Sequence, residues 1–128
     1  MAVTKTLLIV EDSESVKVRL LGFLAEIKCI KVLAAVENGN TAFWKIMQEM
    51  PDIVLLDIQV PGLNGLEILD LLRELKQPPL IIVLTNNSDD YFKERCMKSG
   101  ATAFFDKTTQ FEQALTAIEN LCHEGPNP

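Results

Sequence analysis

A chain of 128 residues that is 48% hydrophobic is one domain with enough apolar matter for a core. Its formal net charge of −6, with no run of Lys or Arg, excludes a nucleic-acid footprint on this chain. The single histidine, His123, removes most metal-hydrolase, Ser-His and Cys-His schemes, and no apolar run approaches the roughly 20 residues of a membrane span.

Strand and helix patterns alternate five times. Thr6–Val10 reads as a buried strand, and the apolar run is too short for a signal-peptide core. Ser13–Ile27 places Val16, Leu20, Leu21, Leu24 and Ile27 at helical spacing, with Ser13 as N-cap. Ile30–Val36 is a second strand, closed by Asn38-Gly39. Thr41–Met50 carries Phe43, Ile46, Met47 and Met50 on one helical face and is ended by Pro51. Ile53–Leu56, with four large apolar residues in succession, suits a strand covered on both sides. The turn-rich Pro61-Gly62-Leu63-Asn64-Gly65 leads to a third helix, Leu66–Leu75, which stops before Pro78-Pro79. Leu80–Thr85 is a further apolar strand, and Asp89–Ser99 a helix ended by Gly100. Ala101–Phe105 is the last strand. Thr109–Cys122 is the last helix, with Phe111, Leu115, Ile118 and Leu121 facing in.

This alternation predicts an α/β fold: a single doubly wound, five-stranded parallel sheet with helices on both faces and right-handed crossovers. One domain is expected over residues 1–123, followed by a flexible tail, 124–128, that is polar and broken by proline. Cys29, Cys96 and Cys122 show no CxxC spacing and are expected as buried, reduced thiols of a cytoplasmic protein.

Residues able to do phosphate chemistry stand at the ends of four of these strands: Glu11-Asp12, Asp57, Thr85 and Lys107. Ligands of open parallel sheets bind outside the carboxyl ends of the strands, so residues far apart in sequence should meet there. Three carboxylates, a hydroxyl and an ammonium group suit a divalent cation and a phosphoryl group. Taken singly, each has a plainer reading. Asp57 could shape a turn, Asp12 or Ser13 could cap the first helix, and Lys107 could be a solvated lysine.

Together they resemble the receiver domain of two-component response regulators. The resemblance rests on Ile9-Val10-Glu11-Asp12, on Asp57-Ile58-Gln59-Val60-Pro61-Gly62-Leu63-Asn64-Gly65, on Thr85, and on Lys107 within Gly100–Lys107. It runs from about Thr6 to His123 and implies the flavodoxin-like strand order 2-1-3-4-5. It further implies that Asp57 is phosphorylated by a histidine kinase or histidine phosphotransfer protein. Mg²⁺ would be held by Glu11, Asp12, Asp57 and the main-chain carbonyl of Gln59, with Asp12 the more direct ligand and Glu11 acting partly through water. Lys107 would pair with Asp57 at rest and with the phosphoryl group afterwards, and Thr85 would hydrogen-bond a phosphoryl oxygen. Phe104 would turn as Thr85 moves, passing the change to a downstream effector domain or protein. The implied protein is a cytoplasmic signalling domain, not an enzyme acting on an external metabolite. It needs no membrane and no direct nucleic-acid contact, and its oligomeric state is open, a phosphorylation-dependent dimer included.

The chain departs from the family pattern in places. Thr108 stands where many members have proline after the lysine, so the Lys107–Thr108 bond is expected to be trans. Asn86-Asn87 follows Thr85, and Gln59 and Asn87 are expected to look onto the open side of the site and tune dephosphorylation. Tyr91, Phe92 and Met97 form a candidate partner patch on the fourth helix. The alternative of a small Mg²⁺-dependent phosphatase with an aspartyl nucleophile lacks an acid beside Asp57 and room for a cap. A flavodoxin-like cofactor binder would need a Ser/Thr/Gly phosphate loop where Glu11-Asp12-Ser13-Glu14 is acidic.

Overall fold

The computed structural model describes residues 4–87 and 89–123; the expected tail, 124–128, lies outside them. The strands are β1 (Lys5–Val10), β2 (Ile30–Val36), β3 (Ile53–Leu56), β4 (Leu80–Thr85) and β5 (Ala103–Asp106). The helices are α1 (Glu14–Leu24), α2 (Gly39–Glu49), α3 (Gly65–Arg73), α4 (Asp90–Lys98) and α5 (Phe111–His123). Every strand pair is parallel and the order is β2-β1-β3-β4-β5, so the predicted topology is the observed one.

Strand alternation splits the core into two layers. Leu8, Val10, Val54, Leu56, Ile81, Val83 and Phe104 pack with Ile46, Ile68, Leu69, Leu72 and Cys96 of α2, α3 and α4. Leu7, Ile9, Ile53, Leu55, Ile82 and Leu84 pack with Leu20 and Leu24 of α1 and Phe111, Ala114 and Ile118 of α5. Side chains of this size each contribute about 1.5–3 kcal/mol when fully buried. The central strands β1, β3 and β4 are apolar on both faces for that reason.

Local chemistry sets the helix ends. Ser13 caps α1 through Val16 N–H, and Asn38 caps α2 through Thr41 N–H. Asn64 and Glu67 form a reciprocal capping box on α3, and Asp89 caps α4. The expected extent of α1, to Ile27, is too long: Glu26 N–H bonds Phe23 O and Ile27 N–H bonds Leu24 O, tightening its end into i→i+3 turns. Two inward faces also differ from expectation. Leu21 is exposed, and on α2 the buried residues are Gly39, Ala42 and Ile46, leaving Met47 and Met50 in solvent. A Cβ at Gly39 would overlap the Leu63 carbonyl. The inward stripe of α2 therefore begins with the small residues Gly39 and Ala42 and continues through Ile46, with Phe43 packed beside it. The expected face holds at Phe43 and Ile46 and fails at Met47 and Met50. Tyr91 and Met97 lie exposed, whereas Phe92 packs edge-on against Phe104 at 6.3 Å.

The cysteines require a correction. Cys29, just before β2, and Cys122, in the last turn of α5, form a disulfide with Cα atoms 5.8 Å apart. Only Cys96 is a free thiol among the described residues, and burial pushes its pKa up to about 11.

Candidate functional site

Register brings the strand ends level. Val10 pairs with Leu56, Leu56 with Val83, and Thr85 with Asp106. Glu11, Asp57 and Lys107 each follow the last residue of their strand and Thr85 is the last residue of β4, so all four stand at one edge. Backbone hydrogen bonds extend the ladder a step: Glu11 N–H to Val36 O, Asp57 N–H to Val10 O and Lys107 N–H to Thr85 O. Four chain segments are thus fixed before any side chain makes contact.

The side chains converge as expected from the sequence. Lys107 Nζ lies 2.7 Å from Asp57 Oδ2 and 2.8 Å from Glu11 Oε1. Glu11, Asp57 and Thr85 are buried at 2%, 5% and 0% exposure, so this ion pair is shielded from solvent. Each carboxylate has a second donor: Ser13 N–H to Glu11 Oε2 and Gln59 N–H to Asp57 Oδ1. Asp12 is the exposed member. Burial raises the Glu11 pKa above its ordinary value, an effect the Lys107 hydrogen bond opposes. Burial alone would lower the Lys107 pKa, but hydrogen bonds to Asp57 and Glu11 outweigh it and hold the ammonium above its usual range.

Ligand oxygens of Glu11, Asp12 and Asp57 can all lie within 4.8 Å of one another. Three carboxylates against one ammonium leave an excess of negative charge, and an all-oxygen donor set of this kind fits Mg²⁺. The Thr85 hydroxyl accepts from Asn87 N–H at 3.4 Å, and Gln59 is exposed beside Asp57.

The loop after Asp57 is held by contacts that no motif announced. Asn40 Oδ1 accepts from Leu63 N–H, and Gly39 N–H donates to Pro61 O. Gly62 has φ +79°, and a Cβ at Gly65 would run into the Ile58 backbone. Beyond Lys107, Asp106 and Gln110 organise the β5–α5 turn, and the Lys107–Thr108 bond is trans as expected. Asp106 makes an Asx-type turn, a weak signal in sequence because most aspartates before a helix sit in solvent. A groove of about 530 Å³, lined by Met47, Met50, Pro51, Leu75 and Pro79, lies at the amino ends of β3 and β4, away from this chemistry.

The family model for the response regulator receiver domain matches residues 7–119. The DNA-binding transcriptional activator EvgA of Escherichia coli K12 is 31% identical over 90 residues, 70% of this chain and 44% of EvgA. Response regulator GacA of Pseudomonas aeruginosa is 28% identical over 114 residues, 89% of this chain and 53% of GacA. The chain spans about half the length of the curated relatives it matches. The BeF3-activated N-terminal receiver domain of Klebsiella pneumoniae RstA superposes with a TM-score of 0.81 at 29% identity, over 93% of this chain and 98% of that one. The NarL signal receiver domain of Mycobacterium tuberculosis gives 0.86 at 17% identity, covering 95% and 98%, and speaks to the fold alone.

Proposed function

Since the chain belongs to the response regulator receiver domain family, we propose that it takes a phosphoryl group onto Asp57 from a histidine kinase or histidine phosphotransfer protein. The observation that carries this reading is the buried Asp57–Lys107–Glu11 cluster at the carboxyl edge of the sheet. In the transfer, an Asp57 carboxylate oxygen attacks phosphorus in line as the bond to the donor nitrogen breaks, giving an acyl phosphate. Lys107 is released from Asp57 to meet a phosphoryl oxygen, and the Thr85 hydroxyl takes another. Glu11, Asp12, Asp57 and the Gln59 carbonyl would hold Mg²⁺. When bound, it supplies positive charge that offsets the crowded carboxylates and the transferring group.

Signal output follows from the neighbours of Thr85. Its hydroxyl anchors Asn87, and Thr85 pairs with Asp106, two residues along β5 from Phe104. Phe104 lies against Phe92 of α4, so a shift of Thr85 that let Phe104 turn would be read on the face formed by α4, β5 and α5. Phosphorylation biases that face only by its differential affinity for two arrangements. A downstream effector domain or protein would read the change, dimerisation on phosphorylation being one form of that output. No described helix is long and apolar enough to cross a membrane, and we place the domain in the cytoplasm with its kinase partner. Gln59 and Asn87 border the open side of the site, where they would govern water access and acyl-phosphate lifetime.

Incubation with acetyl phosphate and Mg²⁺, followed by intact mass, tests the reading. One phosphoryl group should be gained, and chelation should prevent it. No gain at millimolar Mg²⁺ would sink the proposal. Lys107→Ala should slow the gain about 10²-fold, the scale set by removing one preorganised charge donor. Mg²⁺ binding should persist in that variant, because the three carboxylates remain; calorimetric titration checks it.

A further inference from the structure

We propose that Asp106, braced by Gln110, is the positioning residue that fixes Lys107 in a loop without proline. The inference rests on the phosphoacceptor reading above and assigns a role within that same site.

Lys107 is a single residue held between two fixed points. On its amino side, Asp106 N–H donates to Gln110 Oε1 and Gln110 N–H donates back to Asp106 O, both at 2.9 Å. On its carboxyl side, Asp106 Oδ1 accepts from Thr108 N–H and Thr109 N–H, both at 2.8 Å. The carboxylate therefore reaches over Lys107 and ties the next two residues down. Lys107 N–H is itself bound to Thr85 O at 2.9 Å. The Thr108 hydroxyl adds a contact to Asn86 Oδ1 at 3.4 Å, joining this turn to the one after β4.

A physical need explains the arrangement. A lysine side chain has four rotatable torsions, and only a fixed backbone origin lets its ammonium meet Asp57 and Glu11 together. Thr108 lacks the ring that would fix φ, so the turn must be held by other means. Misplacement of a catalytic group by about 1 Å is enough to cost a large rate factor. The function required of Asp106 is hydrogen-bond acceptance. Both contacts to the turn fall on one oxygen, Oδ1, and an amide oxygen accepts such bonds as a carboxylate oxygen does. Asparagine should therefore replace it and alanine should not.

Acetyl phosphate uptake would be timed for the wild type, Asp106→Ala and Asp106→Asn, with Mg²⁺ affinity measured by calorimetry. Asp106→Ala should be about tenfold slower at unchanged Mg²⁺ affinity, and Asp106→Asn within about twofold of wild type. Equal slowing in both variants, a wild-type rate in Asp106→Ala, or slowing matched by lost Mg²⁺ affinity would each overturn the inference. A second readout does not depend on phosphorylation. In metal-free protein labelled with ¹⁵N-lysine, the slowly exchanging Lys107 ammonium signal should vanish in Asp106→Ala and persist in Asp106→Asn. If that signal survives in Asp106→Ala, Asp106 does not place Lys107. A wild type that takes up no phosphoryl group, with the ammonium pattern as expected, instead removes the functional reading and leaves the positioning role standing.

Discussion

Asp57→Asn should abolish phosphoryl uptake from acetyl phosphate, with a loss of at least about 10³-fold in rate. Asparagine has almost the same shape but one acceptor oxygen, so it can serve Gln59 N–H or Lys107 and not both, while Lys107 keeps its contact to Glu11. What disappears is the anionic oxygen that attacks phosphorus. Mg²⁺ affinity should fall about tenfold, since one of three candidate carboxylates becomes a neutral amide. Folding should survive intact, because the substitution removes one negative charge from a crowded set. Glu11 feels that charge: beside burial, the Asp57 carboxylate is among the influences raising its pKa. Intact mass, calorimetry and a thermal melt give the three readings. Phosphoryl gain by the variant at the wild-type rate would mean that another residue is the acceptor. Peptide mapping would then place it, and the roles given to Lys107 and Thr85 would fall with Asp57.

The parts of this molecule that sequence reveals are those decided by local chemistry. Ile53–Leu56 and Leu80–Thr85 are strands because runs of large apolar residues have no other economical place than a sheet covered on both sides. Ser13 is a cap because its hydroxyl satisfies a helix donor wherever the helix goes. The site was legible for a related reason. Strand carboxyl ends in a parallel sheet share one edge, so Glu11, Asp57, Thr85 and Lys107 needed only the topology to meet. The start of the inward side of α2 was not legible, because Gly39 is small where the Leu63 carbonyl closes on it and the buried Ala42 has no large side chain to mark the face. Asp106 was passed over for a similar reason. Its side chain acts on the backbone of its own turn, which resembles an ordinary surface aspartate until the hydrogen bonds are seen. The cysteines are the extreme case, since nothing local relates residue 29 to residue 122.

Reduction of the Cys29–Cys122 disulfide should lower stability by about 3–5 kcal/mol, the chain-entropy expectation for a loop of this length. The bond spans 93 residues, from the entry to β2 to the last turn of α5, and so closes most of the domain into a ring. Opening it restores conformational freedom chiefly to the unfolded chain, while the folded core of both layers stays packed. For a domain of this size the loss corresponds to a melting point lower by about 10–20 °C. Both sulfurs are largely covered, Cys29 at 7% and Cys122 at 3% exposure, so reductant should act slowly on the native protein. Cys96 is not a competing partner, because its buried thiol, with a pKa of about 11, is almost wholly protonated at neutral pH. Thermal melts with and without a phosphine reductant measure the effect, and Cys122→Ser should melt low under both conditions. A reducing cytoplasm would hold the pair as thiols, so the reduced melting point is the one that governs the domain there. Since α5 carries one end of the bridge and belongs to the face that would report phosphorylation, the oxidised and reduced proteins should also differ in amide exchange along its last turn. Identical melts would show that the two cysteines are neighbours without being bonded, and the stability of the domain would then rest on its two apolar layers alone.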